Sequence, residues 1–279
     1  MPVNTAQSHA VDTKIRHVLL HYHLFKNAGS SIDAILERNF GSRLAYLHGM
    51  RHDSTVTNAD LVHFLAANGD VRAVSSHHLR PPKPRIEEFV FFDIVFLRHP
   101  LDRLRSMYDF YRRNEAIDDP LVEQAHRFAI GQFMEFLIAY YPHLTNNVQV
   151  CFFASSGQYT RPPNNGDLQR AIGVITEAAV LGVTELFDFS MGTARYYLYP
   201  TFGALDLKGP AQNVSAARAE SLEERLQHME ASCGSNLYKS LLRMNELDLQ
   251  LVKCAEAEIH RRFNEIPKVV PVDSGTDSA

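Results

Sequence analysis

An α/β fold is what this sequence predicts, a three-layer sandwich in which a central parallel sheet is flanked by helices. Short, mostly apolar, partly β-branched segments recur along the chain, the pattern of strands buried on both faces. Segments with apolar residues at helical spacing lie between them. This alternation asks for right-handed crossovers, and 279 residues can bury a substantial core without a disulfide or metal staple.

The elements follow in order. HVLLHYHLF (17–25) reads as the first strand, and Ile32, Ile35, Leu36 and Phe40 place a helix behind it. VRAVSS (71–76) is the second strand and FFDIVFLR (91–98) the third. Pro100 suits the first turn of the helix carrying Leu101, Leu104, Met107, Tyr108 and Tyr111. Leu121, Ala125, Phe128, Phe136 and Tyr140 suggest one further helix, and AAVLGV (178–183) a fourth strand. A long apolar stripe from Met244 through Leu251, Ala255 and Ile259 to Phe263 predicts the last helix. RPPKPR (80–85) and RPPNNGD (161–167) read as loops. No internal repeat or low-complexity linker divides the chain, so the expectation is one domain over 15–266, with tails at 1–14 and 267–279.

Hydrophobic residues make up 45% and charged residues 22%, as in soluble globular proteins. Lys plus Arg is 28 against 32 for Asp plus Glu, a net charge of −4, so no global basic field favours nucleic acid or an anionic membrane. An anionic ligand must be held by a local arrangement. Cys151, Cys233 and Cys254 are too few and too scattered for a disulfide framework or a thiolate metal site. No apolar run has the length of a membrane span, and the first residues lack the apolar core of a signal peptide. The expected compartment is cytoplasmic.

Two constellations carry chemistry. The first strand runs into Phe25-Lys26-Asn27-Ala28-Gly29-Ser30-Ser31, where a helix opens. Small residues let a backbone curl around an anion, the new helix offers unpaired N–H groups, and Lys26 adds a full charge. The alternative is that Gly29-Ser30-Ser31 only starts a helix. The loop is not a Walker A sequence, because its lysine precedes the glycine, which argues against Mg²⁺-dependent ATP hydrolysis. The second constellation is FLRHPLDRLRSMYDFY (96–111). Arg98 stands where the third strand ends, the edge at which open α/β sheets bind ligands. Ser106 follows about two turns into the next helix, where it and Asp102 need not face the core. A guanidinium and a hydroxyl so placed can share one phosphate; the alternative is a surface salt bridge and a solvated helix position.

With these motifs the chain resembles sulfotransferases that use 3′-phosphoadenosine 5′-phosphosulfate (PAPS), the carbohydrate type that includes the heparan and uronyl 2-O-sulfotransferases. HYHLFKNAGSSI is similar to that family's 5′-phosphosulfate loop, and FLRHPLDRLRSMYDFY to its 3′-phosphate motif. NNVQVCFFAS (146–155), VLGVTELFDFSMGTARYYL (180–198), NVS (213–215) and MNELDLQLVKCAEAEIHRRF (244–263) echo its later segments, so the likeness runs over about 15–265. It implies a P-loop-like fold, a PAPS donor, no required metal, and a hydroxyl acceptor, by family a saccharide. By the same match Lys26, Asn27, Ala28, Gly29, Ser30 and Ser31 hold the 5′-phosphosulfate, and Arg98 and Ser106 the 3′-phosphate. Ala28 stands where the family often has glycine and Asn27 where it often has threonine. Asp102 and Arg103 are expected to brace their helix rather than touch the donor. Adenine contacts are poorly marked; Arg218 and Lys208 are basic residues near that part of the chain.

Sulfuryl transfer needs a base for the acceptor hydroxyl. His77 and His78 follow the second strand, and the resemblance aligns Ser76-His77 with the family's Gly-His, which makes His77 the first choice and His78 the second. Each has the alternative of only shaping its loop. His21 and His23 alternate on the first strand and share one face; they are expected to pack against neighbours. Together with His77 they could suggest a metal site, but no carboxylate-plus-histidine spacing supports one, and none is expected. Arg80, Lys83 and Arg85 lie beside the candidate base and could meet an anionic acceptor or simply solvate a loop. The competing functions are a nucleotide-dependent kinase, which predicts Mg²⁺ dependence, a non-catalytic nucleotide-binding protein of the same fold, and a structural scaffold.

Overall fold

The computed structural model describes residues 15–51, 54–115, 119–209 and 220–267. The N-terminal tail, the C-terminal tail from Lys268, the NVS segment and Arg218 lie outside the described residues. The central strand, β1 (Arg16–Tyr22), alternates with period two. Val18, Leu20 and Tyr22 enter one apolar layer and Leu19 the other. Four further strands complete the sheet: β2 (Leu44–Tyr46), β3 (Ala73–Ser76), β4 (Phe89–Leu97) and β5 (Val180–Val183). All pairings are parallel, in the order β2-β3-β1-β4-β5, with Leu20 opposite Val74 on one side and Asp93 on the other. The chain first winds outward from β1 to β2 and then crosses back to β4, so the winding reverses beside β1, where parallel sheets open a crevice at their C-terminal edge.

Helices α1 (Gly29–Phe40), on the Leu19 face, and α2 (Asn58–Ala67), on the Val18 face, cover opposite sides of the sheet. Beyond β4 the chain builds α3 (Pro100–Arg113), α4 (Pro120–Arg127) and α5 (Ile130–Tyr140). Then come α6 (Val148–Ala154) and α7 (Asn165–Thr176) on the Val18 face, and α8 (Phe187–Phe202) on the Leu19 face. Finally α9 (Leu222–Cys233) and α10 (Ser235–Met244) join α3, α4 and α5 around Leu104, Met107, Phe133, Leu137, Met229 and Leu241, while α11 (Glu246–Asn264) returns to the Val18 face. The three-layer α/β sandwich is therefore present, with a separate helical cluster at the sheet's C-terminal edge.

Four details differ from the sequence reading. β2 was not foreseen: it is a three-residue, half-exposed edge strand too short to show a period. The single helix expected through 121–140 is two, because Phe128 and Ala129 adopt extended backbone and the Gln132 side chain accepts the Ala129 N–H, starting a new helix. Met244 ends α10 rather than opening the last helix, since Asn245 leaves helical geometry and its Nδ2 donates to the Thr145 carbonyl. The 161–167 loop stops at Asn164, whose side chain accepts the Asp167 N–H and caps α7.

A buried polar bracket joins these layers. Asn147, at φ 46, holds the left-handed conformation asparagine tolerates, and its Oδ1 accepts the N–H groups of Leu247 and Asp248 at 3.0 Å each. Asp248 answers by accepting the N–H groups of Gln149 at 3.0 Å and Val150 at 2.8 Å. Thus α6 and α11 cap one another. Burial pushes the Asp248 carboxyl up, against the hydrogen bonds from Val150 and Gln149. Removing a carboxylate that holds two buried amides costs about 3 kcal/mol. Asp248→Ala is expected to lower the unfolding free energy by roughly that amount in urea titration; a change under about 1 kcal/mol would show that the bracket is not needed.

Candidate functional site

The C-terminal ends of β1, β3, β4 and β5 meet at a cleft of about 530 Å³. After β1 the chain turns sharply. Lys26 and Ala28 both adopt positive φ, 67° and 62°, and α1 then starts without a side-chain cap, so its N-terminus faces the cleft. Lys26, Ala28, Gly29, Ser30 and Ser31 all line it. Asn27 does not. Its side chain turns into the core, where Nδ2 donates to Phe96 O at 2.9 Å and Gln149 Oε1 at 2.8 Å, so Asn27 anchors the loop rather than lining it. Gly29 is required by close approach: a Cβ there would lie 1.9 Å from His23 Nε2.

Arg98 and Ser106 lie on the same cleft, at the end of β4 and along α3. Arg98 is held by its Nε donating to Asp102 at 2.7 Å and its Nη1 to the Lys26 carbonyl at 3.1 Å. Asp102 also accepts from Arg225 Nε at 2.8 Å, so one carboxylate aligns two guanidinium groups. Burial alone would raise that carboxyl; Arg98 and Arg225 outweigh it and hold it low. Arg103 braces the helix as expected, fully buried and donating to Leu144 O at 2.8 Å. Arg105, Asp109 and Arg113 continue along the cleft face of α3, and Thr184 reaches the rim from β5. Burial, then Arg98 and Arg113, depress Lys26 to about 8; its ammonium lies 4.8 Å from the Phe110 ring centre.

Of the two candidate bases, His77 is on the cleft wall and His78 is not. His77 Nδ1 lies 3.0 Å from the His23 carbonyl, which can only accept, so Nε2 carries the lone pair. Burial, then His23, push His77 down to about 4, and it is neutral at pH 7. His78 Nδ1 accepts the Gly49 N–H at 2.7 Å, which places the neutral ring's proton on Nε2. His21 and His23 pack against α1: Asp33 meets His21 Nδ1 at 2.9 Å and His23 Nδ1 at 3.0 Å, and accepts Ser75 Oγ–H at 2.6 Å. Asp33 supplies the carboxylate that sequence spacing did not show: its oxygens and a ring nitrogen from each of His21 and His23 lie within 4.8 Å of one another, joined by the contacts to Asp33. The RPPKPR side chains turn elsewhere: Arg80 stacks on Phe152, Lys83 pairs with Asp93 and Arg85 with Glu177. Lys208 sits by Asp206 and the Arg38 side chain, off the cleft.

Sequence reasoning assigned His23 to packing alone and passed over Arg105, Asp109, Arg113, Thr184 and Arg225, all of which line the cleft. The α3 residues recur every four positions around Ser106 and were findable from that spacing. Arg225 left no signal, because it arrives from a helix distant in the chain.

An uncharacterized protein of Archaeoglobus fulgidus is 29% identical over 243 residues, covering 85% of this chain and 94% of that protein. No family model and no solved structure matches. Among the described residues no helix is long and apolar enough to cross a membrane.

A helix N-terminus, Lys26 and aligned arginines can hold a polyanion. Affinity for inorganic pyrophosphate is expected to fall as the pH passes about 8, because the anion binds the charged form of Lys26 and the free protein loses that proton there. Lys26→Met should bind weakly with no such dependence in calorimetry; a pH-independent wild type would remove Lys26 from the site. Left-handed alanine costs roughly 1–2 kcal/mol and glycine's extra chain entropy returns about half of that. Ala28→Gly should therefore stabilise the fold by about 0.5–1 kcal/mol in thermal unfolding; destabilisation would mean the Ala28 methyl packs usefully.

Proposed function

We propose that this protein transfers the sulfuryl group of PAPS to a hydroxyl of an acceptor, a carbohydrate by family resemblance. One observation carries the reading. The Lys26 loop with the α1 N-terminus and the Arg98–Ser106 pair are separate motifs of the sequence, yet they line one cleft. In this reading Lys26 and the loop from Ala28 to Ser31 bind the 5′-phosphosulfate, with Asn27 fixing the loop from behind. Arg98 and Ser106 bind the 3′-phosphate, and Arg225 joins Arg98 through Asp102. The acceptor oxygen attacks sulfur in line, the bond from sulfur to the 5′-phosphate oxygen breaks, and the electron pair leaves on that phosphate. Lys26 and the helix N-terminus stabilise the developing charge, so the residues supply what a metal would otherwise provide. A neutral histidine on the cleft wall takes the hydroxyl proton.

The test is calorimetric titration with adenosine 3′,5′-bisphosphate without metal, with adenosine 5′-monophosphate as control. Micromolar binding that needs the 3′-phosphate is expected. Arg98→Ala should weaken it about ten- to a hundredfold, the worth of a charged hydrogen bond. Equal binding of both nucleotides, or none, would overturn the reading; Mg²⁺-dependent binding of ATP would replace it with phosphoryl transfer.

A further inference from the structure

Two histidines line the cleft, and their surroundings differ. We propose that His23, oriented by Asp33, is the group that takes the acceptor's proton, while His77, the residue favoured by resemblance, is the neutral ring packed against it. This rests on the sulfuryl-transfer reading above.

The geometry begins with the strand period. His21, in β1, and His23, just past its end and still bonded through its N–H to the Ser76 carbonyl, both face α1, where Asp33 lies in the second turn. Asp33 Oδ2 is 3.0 Å from His23 Nδ1. Its Oδ1 is 2.9 Å from His21 Nδ1 and 2.6 Å from Ser75 Oγ. These hydrogen bonds outweigh the effect of burial and hold the Asp33 carboxyl well below the usual range, so it is an acceptor only. The His23 proton is therefore on Nδ1 and its lone pair on Nε2. That Nε2 lies over Gly29, at the mouth of the α1 N-terminus, so base and anion site adjoin.

His77 also presents a lone pair, but with a different partner. Its Nδ1–H meets a carbonyl, not a carboxylate. The two rings have centroids 3.8 Å apart, so the surroundings of one bear on the other. The groups facing the pair are Asp33 on α1, His21 stacked 5.1 Å from His23, and His48 at 5.6 Å from His77. Asp33 is the sole carboxylate among them, and it bonds His23. A proton taken up at His23 Nε2 would face that carboxylate across the ring, whereas one at His77 would face only a carbonyl. In the reaction the acceptor O–H proton passes to His23 Nε2 as the oxygen–sulfur bond forms and the bisphosphate departs with the electron pair. Asp33 is a positioning residue: it fixes the tautomer and balances the imidazolium, as in other carboxylate–histidine pairs.

Long-range nitrogen–proton NMR of the full chain, labelled in histidine and assigned with His23→Gln and His77→Gln, reads this directly. His23 should carry its proton on Nδ1, and Asp33→Ala should abolish that preference. A His23 proton on Nε2 overturns the assignment. Release of adenosine 3′,5′-bisphosphate from PAPS into water then tests the chemistry. His23→Gln should slow it at least about tenfold with product affinity unchanged, and His77→Gln should slow it less. Equal rates in His23→Gln and wild type overturn the proposal. Failure of the wild type to bind adenosine 3′,5′-bisphosphate retires the sulfuryl-transfer reading instead, and leaves the NMR result to decide the His23–Asp33 pair alone.

Discussion

Gln149 is the residue through which the layers of this protein communicate. Its amide oxygen accepts from Asn27 at 2.8 Å and from the Arg98 N–H at 3.0 Å, and its amide nitrogen donates to the Arg98 carbonyl at 2.9 Å. One fully buried side chain thus ties the loop after β1 to the end of β4, and Asp248 ties its backbone to α11. Such a network is costly if incomplete and rigid if complete. Here it fixes the spacing between the two cationic walls of the cleft.

The electrostatics follow from that frame. The chain is net acidic at −4, yet Lys26, Arg98, Arg105, Arg113 and Arg225 converge on one concavity. They stay apart in part because Asp102 sits between Arg98 and Arg225, accepting from both. The protein holds its positive field locally, in a low-dielectric crevice, where charge acts more strongly than on an open surface.

Much of this was legible in the sequence, and the limits have physical causes. The four longer strands announced themselves because most of their residues are buried; β2, three residues long and half-exposed, carries no such pattern. Lys26, Gly29, Arg98 and Ser106 were readable because each belongs to a contiguous strand–turn–helix unit. Asn27 was misplaced because a loop sequence does not say which way a side chain turns, and a left-handed residue on either side reverses it inward. Arg225 and Asp33 were invisible for a common reason: their roles depend on partners that only the tertiary fold supplies.

The bracket has a consequence for how the chain reaches its native state. The Asn27–Gln149 bond spans 122 residues and the Gln149–Asp248 bond 99. Loop closure over such distances is entropically unfavourable until much of the sheet exists. A nascent chain that has formed β1 and α1 possesses the sequence of the loop between them but not the bonds that fix its shape. The frame of the cleft is complete only with α11 in place, so a partly folded chain lacks a fixed pocket there.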